Sequence, residues 1–122
     1  MNILLVDPDE YFHAKFKEKF LDLGNIRMYD KVEGLREVIN DFQPNIIITE
    51  LLISGGTVFE LLEEFKPELE NQHFSLIVYT KISNLEDLVA TMEAGVSRYL
   101  VKGQDTLNDL KSVILNDFNY AR

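Results

Sequence analysis

The chain has 122 residues, enough for one domain with a buried core, and its 12 Lys and Arg against 21 Asp and Glu give a formal net charge of −9. That balance argues against nucleic acid and against anionic membrane surfaces, both of which are bound by neutralising phosphates with Lys and Arg. There is no cysteine, which excludes disulfides, thiolate metal sites and cysteine nucleophiles and fits a reducing, cytoplasmic setting.

The N-terminal run "NILLV", Asn2 to Val6, is apolar throughout after its first residue, as a parallel strand covered on both faces should be. Asp7 interrupts it too early for a signal peptide, and no later run approaches the roughly 18 apolar residues of a membrane span. Pro8 suits the first turn of a helix. Phe12, Phe16 and Phe20 recur every four residues, with Leu23 close by, and Gly24 closes that helix. "IRMY", Ile26 to Tyr29, is a short second strand. Asp30 and Glu33 have capping-box spacing ahead of Leu35, Val38, Ile39 and Phe42, a second amphipathic helix ended by Pro44. "IIIT", Ile46 to Thr49, is the third strand, with Glu50 at its tip. Thr57 and Glu60 make a fuller capping box for a helix through Leu61, Leu62 and Phe65, stopped before Pro67. "LIVYT", Leu76 to Thr80, is the fourth strand. Ser83 and Glu86 start a fourth helix with Leu85, Leu88, Val89 and Met92 facing inward. "RYLV", Arg98 to Val101, is the fifth strand, and Leu107, Leu110, Val113, Ile114 and Phe118 mark a fifth helix.

Five strands alternate with five helices over short connections, which predicts a single α/β domain over residues 1–122: a parallel sheet with helices on both faces. In such sheets the site lies beyond the carboxyl ends of the strands. Those ends carry Asp7, Glu50, Thr80 and Lys102. Singly, each has a bland reading: an acid after a strand caps a helix, a threonine is at home in a strand, a lysine there is solvated. Two carboxylates, a hydroxyl and an ammonium converging on one cleft are harder to dismiss.

The stretches "ILLVDPDE", "PNIIITELLISGG", "LIVYTK" and "EAGVSRYLVKG" resemble the receiver domain of two-component response regulators, over essentially the whole chain. The resemblance implies a doubly wound, flavodoxin-like five-stranded sheet that takes a phosphoryl group from a histidine kinase onto an aspartate at the third strand's tip. It implies that an acidic pair after the first strand helps to hold Mg²⁺, that Thr80 and Lys102 sit where phosphoryl oxygens are gripped, and that Tyr99 is the aromatic coupled to Thr80. Asp7 matches the first acid of the pair. Pro8 stands where the second acid is expected, and Glu50 stands at the acceptor aspartate's place. Gly103 replaces the proline that commonly follows the lysine, which puts a cis peptide there in doubt.

These departures bear on the chemistry. Pro8 offers no oxygen to a metal that demands near-octahedral oxygen ligation, and Asp9, at a helix start, is better placed to cap. Glu50 is one methylene longer than Asp, and misplacement by about 1 Å can cost on the order of a hundredfold in transfer. Glu50 also carries about one negative charge against the roughly 1.5 to 2 of a phosphate group. The sequence-based expectation is a pseudo-receiver, not an enzyme, in which Lys102 pairs with Glu50 and Thr80 donates to it, replacing phosphate and metal. The alternative is a working, Mg²⁺-dependent phosphoacceptor in a phosphorelay, with Asp7 as its metal ligand. Partners are then signalling proteins, met through the outward side of the fourth helix, fifth strand and fifth helix (Glu86, Asp87, Ala90, Glu93, Lys111, Ser112), where a homodimer is also plausible. A flavodoxin-like electron carrier would need a glycine- and hydroxyl-rich loop where this chain has "DPDE", which repels phosphate. A hydrolase would need a base, and His13 and His73 are read as outside the strand-end set.

Overall fold

The computed structural model describes residues 1–120, with side chains described as far as Asp117; the inward placement expected for Phe118 lies outside the described residues. Five parallel strands, β1 (Asn2–Val6), β2 (Asn25–Tyr29), β3 (Ile46–Thr49), β6 (Ser75–Thr80) and β7 (Arg98–Val101), form one sheet in the order β2-β1-β3-β6-β7. The three central strands are buried almost throughout, which is why their sequences are continuously apolar. Val6 pairs with Thr49, Thr49 with Val78 and Val78 with Tyr99, so the strand tips lie on adjoining rungs.

The pleat divides the core in two. Ile3, Leu5, Ile46, Ile48, Ile77, Tyr79 and Leu100 point to one face, against Phe16 and Phe20 of α1 (Glu10–Phe20) and Leu110 and Ile114 of α6 (Leu107–Tyr120). Leu4, Val6, Ile47, Leu76 and Val78 point to the other, against α2 (Leu35–Phe42) and α3 (Val58–Glu64). The phenylalanine stripe works as read: Phe16 and Phe20 are stacked at 4.3 Å and fully buried.

Helix starts and turns depart from expectation in several places. Pro8 precedes the first helix instead of entering it, because the Asp9 carboxylate caps α1 by accepting the Tyr11 and Phe12 N–H groups. Between α1 and Gly24 runs a 3-10 turn, Leu21–Leu23. The Asp30–Glu33 capping box does not form. That segment pairs instead with Ser54, whose N–H donates to the Asp30 carbonyl and whose carbonyl accepts from Val32. Helix α2 starts at Gly34, with φ +82°, where a Cβ would meet the Tyr29 hydroxyl at 2.5 Å. Ser54 belongs to a small unforeseen hairpin, β4 (Leu52–Ile53) with β5 (Gly56–Thr57), directly after Glu50. Thr57 caps α3 through Phe59 N–H as its spacing suggests. Helix α3 stops before Pro67, with Phe65 at its C-terminal cap, and an unforeseen short helix, α4 (Lys66–Glu70), begins around the proline, because the first helical turn has no use for the N–H that proline lacks.

The largest departure is α5 (Leu85–Glu93). Leu85, Val89 and Met92, expected inside, are 72%, 43% and 42% exposed, while Thr91 is fully buried. Thr91 tolerates burial because its hydroxyl donates to its own helix at Asp87 and Leu88 carbonyls. The helix cap is Asn84, accepting from Glu86 and Asp87, and not Ser83. Of the residues expected on the outward face, Glu86, Ala90, Glu93 and Ser112 are exposed and Asp87 is half-buried. Lys111 turns away from that face to bridge Asp22 at 2.9 Å, next to α1. At α6 a reciprocal pair forms the start, Asp109 accepting from Thr106 N–H and Thr106 from Asp109 N–H. Among the described residues no helix is long and apolar enough to cross a membrane.

The two cap assignments for α5 are separable. Asn84→Ala is expected to lower unfolding free energy by about 1 kcal/mol, with Ser83→Ala close to neutral, as read by urea denaturation.

Candidate functional site

In the strand order the chain runs outward from β1 to β2 on one side and from β3 on the other, so the crevice between the tips of β1 and β3 is the topological switch point. Asp7 and Glu50 flank it. The Asp7 N–H continues the ladder to the Tyr29 carbonyl, and the Glu50 N–H does so to Val6. The carboxylates are thereby carried by rigid backbone.

Both are held by one cation. Lys102 Nζ donates to Asp7 Oδ2 at 2.7 Å and to Glu50 Oε1 at 3.3 Å. Their side chains are 13%, 2% and 16% exposed for Lys102, Asp7 and Glu50. The other oxygens are engaged as well: Asp7 Oδ1 accepts the Asp9 N–H at 2.8 Å, and Glu50 Oε2 accepts the Leu51 N–H at 2.7 Å. The extra methylene of Glu50 thus lets its carboxylate curl back on the backbone it follows. Lys102 also lies over the Phe12 ring, 4.2 Å from its centroid, with Tyr79 at 5.8 Å; a cation over an aromatic face gains from the ring quadrupole.

The pleat explains the membership of this group. Positions 46, 48 and 50 on β3, 77 and 79 on β6, and 100 and 102 on β7 alternate to the face that carries α1 and α6. Thr80 and Tyr99 have the opposite parity and belong with α2 and α3. Accordingly, Thr80 does not donate to Glu50, contrary to expectation. Its hydroxyl accepts the Ile82 N–H at 3.3 Å, and Tyr99 donates to the Ile82 carbonyl at 2.7 Å. The strand-end set is therefore two groups, a lysine–carboxylate clasp on one face and a Thr80–Ile82–Tyr99 link on the other. Asp9 Oδ1 is spent on the α1 cap, and Pro8 has no side-chain oxygen.

Three participants escaped the sequence reading. Phe12 reads as one more member of the α1 stripe and Tyr79 as an ordinary strand residue; counting parity from Leu100 and Lys102 would have put Tyr79 on the clasp's side. His13 is the third. With its proton on Nε2 it donates to the Asp7 carbonyl, so it does touch the strand-end set. His73 lies exposed in the loop before β6. The peptide bond at Gly103 is trans, as are all others among the described residues, and Gly103 adopts φ +93°.

Two tyrosines are perturbed. Burial, then the negative charges of Asp87 and Glu50, push the Tyr99 hydroxyl above its ordinary value. Burial, followed by Asp105 and Asp109, does the same for Tyr79, whose hydroxyl donates to the Asp105 carbonyl at 2.7 Å.

No family model matches the chain. In architecture it is a flavodoxin-like α/β protein with the receiver fold, and solved structures superpose on nearly all of it. The signal receiver domain of a putative Luxo repressor protein from Vibrio parahaemolyticus matches with a TM-score of 0.88 at 18% identity, covering 98% of this chain and 91% of that one. A two-component response regulator from Clostridium difficile matches with a TM-score of 0.86 at 20% identity, covering 98% and 96%. In sequence the chain is similar to chemotaxis protein CheY-3 of Vibrio cholerae, 26% identical over 106 residues, which is 84% of this chain and 80% of that protein.

Removing the ammonium leaves two carboxylates facing each other at low exposure. Lys102→Met should lower stability by about 2–4 kcal/mol, and adding Glu50→Gln should recover part of the loss in urea denaturation. Alkaline titration followed at 295 nm should show Tyr79 and Tyr99 ionising later than the free side chain, with one late step lost in Tyr99→Phe. Since folding holds these hydroxyls neutral, their contribution to stability is complete below the unfolded value near 10 and is lost as pH rises through the higher folded values.

Proposed function

We propose that this chain is a receiver-type module of two-component signalling that acts by docking to protein partners, and that its strand-end cleft takes up neither a phosphoryl group nor Mg²⁺. The observation that carries this reading is Lys102 Nζ, lodged between Asp7 at 2.7 Å and Glu50 at 3.3 Å. In-line phosphoryl transfer needs a carboxylate oxygen free to attack and cations that neutralise the incoming group. Here each Glu50 oxygen already accepts a hydrogen bond. The ammonium lies between the two acids that would hold a divalent ion, Pro8 has no side-chain oxygen, and Asp9 gives its Oδ1 to the α1 cap. The residues present do not fit an octahedral oxygen-ligated ion. With no group to transfer and none to turn over, the module is not an enzyme, and a cytoplasmic location beside its signalling partners goes with the reading.

The partner surface is the outward side of α5 with β7 and α6. Leu85, Val89 and Met92 make an apolar stripe there, flanked by Glu86 and Ala90, and a contiguous exposed stripe of this kind marks a docking face. A second copy of the chain is one candidate occupant. The rival reading, a Mg²⁺-dependent phosphoacceptor, is favoured by Asp7, Thr80 and Lys102, which all stand where a receiver would use them.

Intact-mass analysis after incubation with acetyl phosphate and Mg²⁺ decides between the two. The mass should stay unchanged, and a stoichiometric phosphoryl adduct on Glu50 would overturn the proposal. Pro8→Asp combined with Glu50→Asp should gain Mg²⁺ binding by calorimetry and phosphoryl labelling, each single exchange gaining less.

A further inference from the structure

Two helices end on the wrong charge at one groove, and a third carries an acid beside them. Helix α3 carries Glu63 in its last turn, α4 ends on Glu70 and α5 ends on Glu93, and none of the three has a basic residue in its last turn. A helix's C-terminal end is its negative pole, where an acid destabilises and a cation stabilises. None of these carboxylates has an ion-pair partner among the described residues, whereas their neighbours Glu64 and Glu68 are both claimed by Arg36. They lie around a cavity of about 400 Å³ also lined by Phe59, Leu62 and Leu69, with Lys66 the one cation lining it among the described residues.

We infer that this groove between α3–α4 and the end of α5 docks a cationic amphipathic helix of a partner protein, its apolar side chains on Phe59, Leu62 and Leu69 and its lysines or arginines on Glu63, Glu70 and Glu93. The charges identify the occupant. A cation brought to this rim neutralises a carboxylate that has no ion-pair partner among the described residues and, at α4 and α5, the negative pole of a helix as well. The apolar floor supplies area that a free polyamine or metal ion would leave unused, and an amphipathic helix laid in an apolar groove is a recurrent recognition mode. The site is separate from the strand-end clasp and holds whether or not Glu50 accepts a phosphoryl group.

The probe is a fluorescein-labelled synthetic helix with leucine on one face and lysine on the other, titrated by anisotropy and mapped by amide chemical shifts. Binding should weaken with salt, and the Glu63→Gln, Glu70→Gln, Glu93→Gln variant should bind about tenfold or more weakly while melting at a higher temperature than the parent, since the helix ends are relieved. Phe59→Ala should also weaken binding. Four results would overturn the inference: no binding; equal loss in a control carrying Glu10→Gln, Glu18→Gln and Glu37→Gln; equal binding by a peptide with serine in place of leucine; or shifts centred away from the groove.

Discussion

Much in this structure depends on one ammonium shared by two carboxylates. A parallel sheet brings the tips of β1 and β3 side by side, so Asp7 and Glu50 cannot be kept apart, and both are largely withdrawn from water. Two such charges need a cation between them. Lys102 reaches them from the tip of β7 because four methylenes span the width that the sheet's order imposes, and the Phe12 ring covers it from α1. A single contact thus joins three strands and a helix across most of the chain's length. The interaction that stabilises the cleft is the same one that fills it.

Behind the clasp, the opposite face of the sheet carries a different coupling. Thr80 and Tyr99 hold the two backbone polar groups of one residue, the N–H and the carbonyl of Ile82. Two residues further on, Asn84 caps α5. The strand ends and the exposed stripe of α5 are therefore connected by consecutive, hydrogen-bonded backbone.

The acidic groove at the helix ends obeys a related logic in reverse. At the clasp the chain supplies the countercharge itself. Glu63, Glu70 and Glu93 have no ion-pair partner among the described residues, which leaves small electrostatic penalties. Arg36 shows that the fold can satisfy such glutamates where it does so, since it bridges Glu64 and Glu68 and lies over the Phe65 ring.

What the sequence by itself determined was the layout. Continuous apolar runs at Asn2–Val6, Ile46–Thr49 and Leu76–Thr80 can only be strands covered on both sides, and alternation with helices makes them parallel. Parallel strands put their carboxyl ends together, so Asp7, Glu50, Thr80 and Lys102 were readable as one cleft before any coordinates. Tertiary structure decided how they divide. Lys102 sits nearer to Asp7 than to Glu50, and Thr80 turns to Ile82, because each donor takes the acceptor that the neighbouring strand and loop place in reach. Helix rotation was undetermined for the same reason. The pattern of α5 offered Leu85, Val89 and Met92 as an inner face, yet a threonine that satisfies its own hydroxyl within the helix took the buried position, and a spacing pattern carries no information about which face its neighbours leave open. Asp30 and Glu33 had the spacing of a cap, but Ser54, distant in the chain and adjacent in space, claimed the backbone they would have used. Local sequence sets which partners a group can accept; only the packed fold sets which partner is there.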